Sequence, residues 1–245
     1  MWLANRLFPS VRRLLRENDS LKAQLSRATK EPNCSDEEAL ADLSKFMRGF
    51  SQRLANRPPG NLLNIGARNR TGGNIHRWIP EGWTYHGVDI ASDKDVTLVT
   101  DAHELSLHLP HSSFDAVVSH ATFEHLLIPW KVVIEINRVC RVGALVMVTS
   151  HQCYPLHDEP TDYFRFSAQA WDALFNRHTG FRILEQKMGT PARVVPEMRS
   201  PRLAGIDTQP AFIHSLLVAE KISGTSLTWN VPVGEISQDR YPDTP

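Results

Sequence analysis

From residue 61 to residue 221 the chain alternates short apolar runs with stretches of helical periodicity. The runs 62–66, 84–89, 96–100, 115–119, 144–149, 181–188 and 212–221 predict strands, because they are rich in β-branched or aromatic residues. The clearest helix spans 129–141. Pro129 suits a first helical position, Val132, Val133, Ile136, Val139 and Cys140 form one apolar stripe, and Gly143 ends it. A second begins after Ser167 and buries Trp171, Leu174 and Phe175 before Gly180. Strands alternating with helices predict an α/β fold with a doubly wound, mostly parallel sheet. Residues 189–210 and 222–245 are rich in Pro, Gly, Ser and Arg and predict a long loop and a tail.

The first sixty residues have another texture. Leu7, Leu14, Leu21 and Ala28 recur at seven, interleaved with Val11, Asn18 and Leu25. That is a heptad seam, with Asn18 at an a position where a polar residue favours a registered parallel dimer. Glu17 and Lys22 stand where charges pair between strands. Two other readings stay open: an amphipathic helix packed on its own domain, and a membrane-surface helix, since residues 1–30 carry seven Lys/Arg against two acids. Ser35 and Glu38 then form a capping box for a helix in which Leu40, Leu43, Phe46, Met47, Phe50 and Leu54 keep helical spacing, so that one face packs on something, and which stops at Pro58, Pro59 and Gly60. The expected division is 1–30 coiled coil, 31–59 helix and linker, 60–222 catalytic domain, 223–245 tail.

Composition narrows the classes. The 245 residues are 41% hydrophobic and 22% charged, which fits a folded domain, and 27 basic against 27 acidic side chains remove the bulk electrostatic case for nucleic acid. Cys34, Cys140 and Cys153 are too few and too scattered for a disulfide framework, so the expected location is the cytoplasm.

Ligands of open parallel sheets lie beyond the carboxyl ends of the strands. There the chain places Gly66, Ala67 and a loop to Gly72, then Asp89 and Ile90, then Asp101 and Ala102, then Ser119 and His120. Gly66 lets backbone turn tightly, and Asp89 can accept both hydroxyls of a ribose. Asp89 could equally cap a turn. The ordered set IGARNRTGG, GVDI, TDAHEL, SFDAVVSHATFEHL and INRVCRVGALVMVTS resembles the class I S-adenosylmethionine-dependent methyltransferases over about residues 60–188. His157, Pro160, Asp162, Tyr163 and Arg165 are similar to the H-x-x-P-x-D-Y-x-R stretch of a bacterial subgroup linked to glycan or natural-product modification.

The resemblance implies a Rossmann-like seven-stranded fold and S-adenosylmethionine as cofactor. It assigns the methionine part to Gly66, Ala67 and the loop to Gly72, the ribose to Asp89 beside Ile90, the adenine to Asp101 and Ala102, and the reactive end to Ser119 and His120. Where the family has an acid this chain has Asn64, and where it has glycines Arg68 and Arg70. A hydroxyl acceptor needs a base, for which His151 ranks first and His125 second, with Glu124 and Asp162 as orienters. Tyr163 and Arg165 are the expected substrate wall, for a small-molecule or glycan acceptor; a pair that fixes its own loop is the plainer alternative. The histidines share no zinc-type spacing, so no metal is expected. Competing functions are a non-catalytic assembly module of the same fold and a nicotinamide-dependent oxidoreductase, the latter disfavoured by the absence of a Tyr-x-x-x-Lys dyad.

Overall fold

A computed structural model of the chain describes residues 14, 17–21, 38, 40–70, 75–198 and 200–236. It divides into two compact units, Met1–Ala39 and Leu40–Pro245. In the first unit residues 17–21 are helical, and Leu14 and Leu21 are exposed. Most of the heptad seam, Ser35 of the expected capping box, and Gly72 fall outside the described residues. The sheet and every candidate site residue belong to the second unit.

Seven strands form one sheet: β1 (Asn61–Ile65), β2 (Thr84–Asp89), β3 (Leu98–Val99), β4 (Phe114–His120), β5 (Cys140–His151), β6 (Phe181–Ala192) and β7 (Ala211–Lys221). Their order is β3-β2-β1-β4-β5-β7-β6, and all neighbours run parallel except those of β7. The expected doubly wound, Rossmann-like fold is the observed one. Alternation at period two sends side chains to opposite faces. Leu62, Val118, Met147, Leu216 and Val218 meet helix α1 (Ala41–Ala55) through its Leu43, Phe46, Met47, Phe50 and Leu54. Leu63, Val117, Val146, Val148 and Leu217 meet α3 (Pro129–Val139), and α4 (Ala170–Leu174) adds Trp171 and Leu174 to that side; the short α2 (Leu105–His108) contributes Leu105.

Several boundaries differ from the sequence expectation: the strand expected over 96–100 shrinks to Leu98–Val99, that over 144–149 grows to Cys140–His151, and two further shifts have a clear cause. The helix expected over 129–141 ends at Val139, because Cys140 turns extended and pairs with Phe114. The buried Lys221 ammonium donates to the carbonyls of Asn137 and Cys140, at 2.6 and 2.8 Å, and so satisfies acceptors that the helix end leaves open. Strand β6 runs past 188 to Ala192, since its ladder with β7 continues to Ala192 opposite Ala211. The local preferences of Gly189 and Pro191 are overridden by strand pairing. The crossover from β1 to β2 carries only a 3-10 turn, Ile75–Trp78, among its described residues.

Trp171 anchors the second face. Its ring stacks on Phe166 at 4.8 Å, its indole N–H donates to the Ser215 hydroxyl at 2.7 Å, and it is fully buried. Trp171→Ala is expected to lower unfolding free energy by about 3–5 kcal/mol through the cavity it leaves. Denaturant titration at unchanged m-value checks this.

Candidate functional site

Because β1 leads to β2 on one side and its other neighbour is β4, the carboxyl ends of β1 and β4 open a crevice at the point where strand order reverses. Gly66 follows β1 with φ +78°, and a Cβ there would lie 2.0 Å from the Thr122 hydroxyl oxygen, so only glycine fits. The amides of Gly66 and Ala67 both donate to the Val88 carbonyl, which folds the loop back across β2. Asp89, half-buried at the end of β2, accepts from the backbone N–H groups of Arg68 and Ala91, each at 3.1 Å. Each of its oxygens keeps a further lone pair for a ligand. Ile90 stands exposed beside it.

Asp101 caps the turn at Ala102. One oxygen accepts the His103 amide at 2.9 Å and faces His103 Nδ1 at 2.6 Å. The Ile128 amide donates to His103 Nε2, so that nitrogen bears the lone pair and Nδ1 carries the proton given to Asp101. Burial pushes the Asp101 carboxyl up, but the hydrogen bonds from the His103 ring and amide, with the Lys131 charge, outweigh it and hold the group below the usual carboxylate range. Its second oxygen is not used by these bonds. At the end of β4 the Ser119 hydroxyl is buried and donates to the Ile65 carbonyl, so the side chain faces into the sheet and not toward a ligand. His120 is exposed, its Nδ1 hydrogen-bonded with the Thr149 hydroxyl. Asn64, where an acid was expected, donates its amide to the Tyr85 hydroxyl below the crevice.

The acceptor side begins where Ala121 takes φ +48°, a left-handed turn that is uncommon outside glycine. It sets Thr122 against Gly66 and carries Glu124 beneath the end of β5. Glu124 is fully buried: Oε2 accepts from the Ser150 hydroxyl at 2.6 Å, while Oε1 has no hydrogen-bond partner. His151 Nε2 lies 3.2 Å from Oε1, and its ring stacks on Tyr154 at 4.2 Å. His125 Nε2 is 4.0 Å from the same oxygen. Burial, then the repulsion that a charged His151 would meet from His214, His157, Arg165 and His120, push the His151 pKa down to about 3. Burial raises the Glu124 carboxyl, against the opposing bond from Ser150.

The segment 152–166 folds over this pair. Tyr163 and Phe164 amides both donate to the Glu124 carbonyl, and the Phe166 amide to that of His151. Arg165 spends all five N–H donors inside the segment, on both oxygens of Asp162 and on the carbonyls of Tyr154, Pro155 and Phe164. That leaves its guanidinium no donor for an acceptor as the loop stands, so Arg165 fixes its own loop, the plainer of the two sequence readings. The Arg165 hydrogen bonds, stronger than the opposing burial, hold the Asp162 carboxyl at about 2. Arg70, in place of a family glycine, pairs with Asp158 and ties the β1 loop to the acceptor segment.

Sequence reasoning missed that tie, the Tyr154 stack, and His214. The last sits opposite His151 because β7 runs antiparallel to β5. A signal was present for His214 alone: it lies near the start of a predicted strand, the last one in the chain.

The β3-β2-β1-β4-β5-β7-β6 sheet with its crevice is the fold shared with a SAM-dependent methyltransferase from Archaeoglobus fulgidus. That protein is 18% identical, with a TM-score of 0.51 over 73% of this chain and 97% of that one. It is shared also with a 1,6-didemethyltoxoflavin-N1-methyltransferase from Burkholderia thailandensis, solved with 1,6-didemethyltoxoflavin and S-adenosylhomocysteine bound. That likeness is 15% identical, with a TM-score of 0.51 over 89% of this chain and 92% of that one. The [4+2]-cyclase SpnF is 18% identical, with a TM-score of 0.53 over 80% of this chain and 86% of that one. These likenesses establish the fold. Residues 70–148 match the family model described as a methyltransferase domain. No curated protein matches it in sequence. No helix of the described residues is long and apolar enough to cross a membrane.

Proposed function

We propose that this protein is an S-adenosylmethionine-dependent methyltransferase acting on a hydroxyl of a small molecule or glycan. The observation that carries the reading is the convergence, along one line of strand ends, of a carboxylate-lined crevice and a buried Glu124–His151 pair. The donor chemistry suits the cofactor. Asp89 offers acceptors for a ribose diol and Asp101 a carboxylate for the adenine amine, with Ile90 and Ala102 bordering the base and Gly66 and Ala67 turning the loop beside the methionine part. S-adenosylmethionine supplies an activated methyl group on a sulfonium.

The chain's own task is alignment and care of the acceptor's proton. His151 is the acceptor-activating residue. Its ring is held by Glu124 below and Tyr154 on its face, and His125 stands next to it as the alternative. Tyr163 borders the acceptor, while Asp162 and Arg165 keep the covering segment in place. The H-x-x-P-x-D-Y-x-R run supports the glycan or natural-product subgroup, and the heptad seam would pair two copies. Incubation with methyl-labelled S-adenosylmethionine and hydroxyl acceptors tests the reading. Label should pass to acceptors with a free hydroxyl and not to their O-blocked forms. Transfer to nitrogen or carbon alone would overturn the hydroxyl assignment.

A further inference from the structure

The geometry points to a divalent transition-metal site of the zinc class, built from Glu124, His151 and His157 at the acceptor end of the crevice. One ligand atom from each of the three lies within 4.8 Å of the others. In a tetrahedral site two atoms bound at about 2.1 Å stand about 3.4 Å apart, so the set closes on an ion with side-chain movements of about an ångström.

Three observations favour an ion over a packed polar cluster. Glu124 is fully buried, yet Oε1, the oxygen facing His151 and His125, has no hydrogen-bond partner, and neither has His151 Nδ1. A buried carboxylate oxygen whose neighbour at 3.2 Å, His151 Nε2, makes no hydrogen bond to it is costly unless something positive meets it.

Next, the ring orientations bring Nε2 atoms to the cluster. His157 Nδ1 lies 3.1 Å from the Pro155 carbonyl, and His125 Nδ1 lies 2.8 Å from that of Thr161. A carbonyl only accepts, so each Nδ1 carries a proton, and Nε2 is the nitrogen left to turn toward the cluster. For His125 that nitrogen faces Glu124 Oε1 and Asp158 Oδ2, at 4.0 and 3.9 Å.

Finally, the outer partners have the form that orients metal-bound imidazoles. Asp162 Oδ2 stands 3.4 Å from His157 Nδ1 and also accepts the His157 amide, and Arg165 locks that carboxylate in place. Two imidazoles and one carboxylate are three protein ligands, which leaves a fourth position for an exchangeable oxygen.

This site rests on the reading of His151 as acceptor-activating and changes how the residue acts. His151 holds an ion in place of taking the proton itself. An acceptor hydroxyl on the ion becomes more acidic; its proton leaves to water and the electron pair stays on oxygen. No spacing in the chain signals this set, because its members lie on three separate segments.

The test uses the full chain, stripped of metal and titrated with Co²⁺ by visible absorption, then with Zn²⁺ in competition. One ion per chain is expected, with cobalt bands displaced by zinc. Glu124→Gln and His157→Ala should each weaken binding about a hundredfold or more, whereas His111→Ala, an exposed histidine on the loop entering β4, should leave it unchanged. Circular dichroism confirms that the variants fold, and Glu124→Gln keeps an acceptor for Ser150. Failure of wild type to bind a stoichiometric ion, or equal binding by both variants, overturns the site. Calorimetry with S-adenosylhomocysteine on the same preparations separates the two readings. Cofactor binding without cobalt binding removes the ion and leaves the methyltransferase standing, and loss of both removes both.

Discussion

His151→Ala is expected to lower turnover by about two to four orders of magnitude while leaving affinity for S-adenosylhomocysteine within a few-fold. The split follows from position. His151 ends β5 on the acceptor side, packed between Glu124 and Tyr154 and ringed by His157 and His214, away from Gly66, Asp89 and Asp101. Removing the ring therefore takes away activation of the hydroxyl and little of the cofactor's support. The neighbouring strands should hold, since the backbone pairing of His151 with His214 and the Phe166 amide bond need no side chain. Single-turnover transfer and calorimetry on one preparation give both numbers. An equal loss in both would make His151 a wall of the pocket, and near-normal turnover would pass the role to His125.

The second large effect is at Asp89. Asp89→Ala should weaken S-adenosylhomocysteine binding more than a hundredfold, equivalent to about 3 kcal/mol, through loss of two charge-assisted bonds to a ribose diol. The carboxylate also takes the Arg68 and Ala91 amides, so the alanine variant loosens the loop that carries Gly66. Asp89→Asn keeps one acceptor oxygen and should fall between the two. Unchanged binding in the alanine variant would take Asp89 out of the site.

Much of this was legible in the chain because it is local. The strands advertise themselves as short apolar runs, and alternation then sends Leu62 and Leu63 to opposite helices. Gly66 and Asp89 stand at strand ends that neighbouring residues define. What could not be read depends on pairing across the fold. The β6–β7 ladder carries β6 through Gly189 and Pro191, and Lys221 ends a helix more than eighty residues upstream by capping its carbonyls. Among site residues, Ser119 was expected near the reactive end, and nothing in the chain signalled that its hydroxyl would donate to the Ile65 carbonyl of the neighbouring strand. Arg165 was visible as a motif residue, but its spacing from Asp162 admits both a substrate contact and a loop clasp. Folding decides between them by spending its five donors within the loop. Glu124, His151 and His157 come from a 3-10 turn, a strand end and a loop, and no periodicity joins them.

The central claim is that the crevice over β1, β2 and β4 holds S-adenosylmethionine. Isothermal titration of the full chain with S-adenosylhomocysteine, and separately with NAD, tests it most directly. Saturable binding of one S-adenosylhomocysteine per chain, with no heat from NAD, is the expected result; no binding of S-adenosylhomocysteine, or binding of NAD in its place, would contradict it.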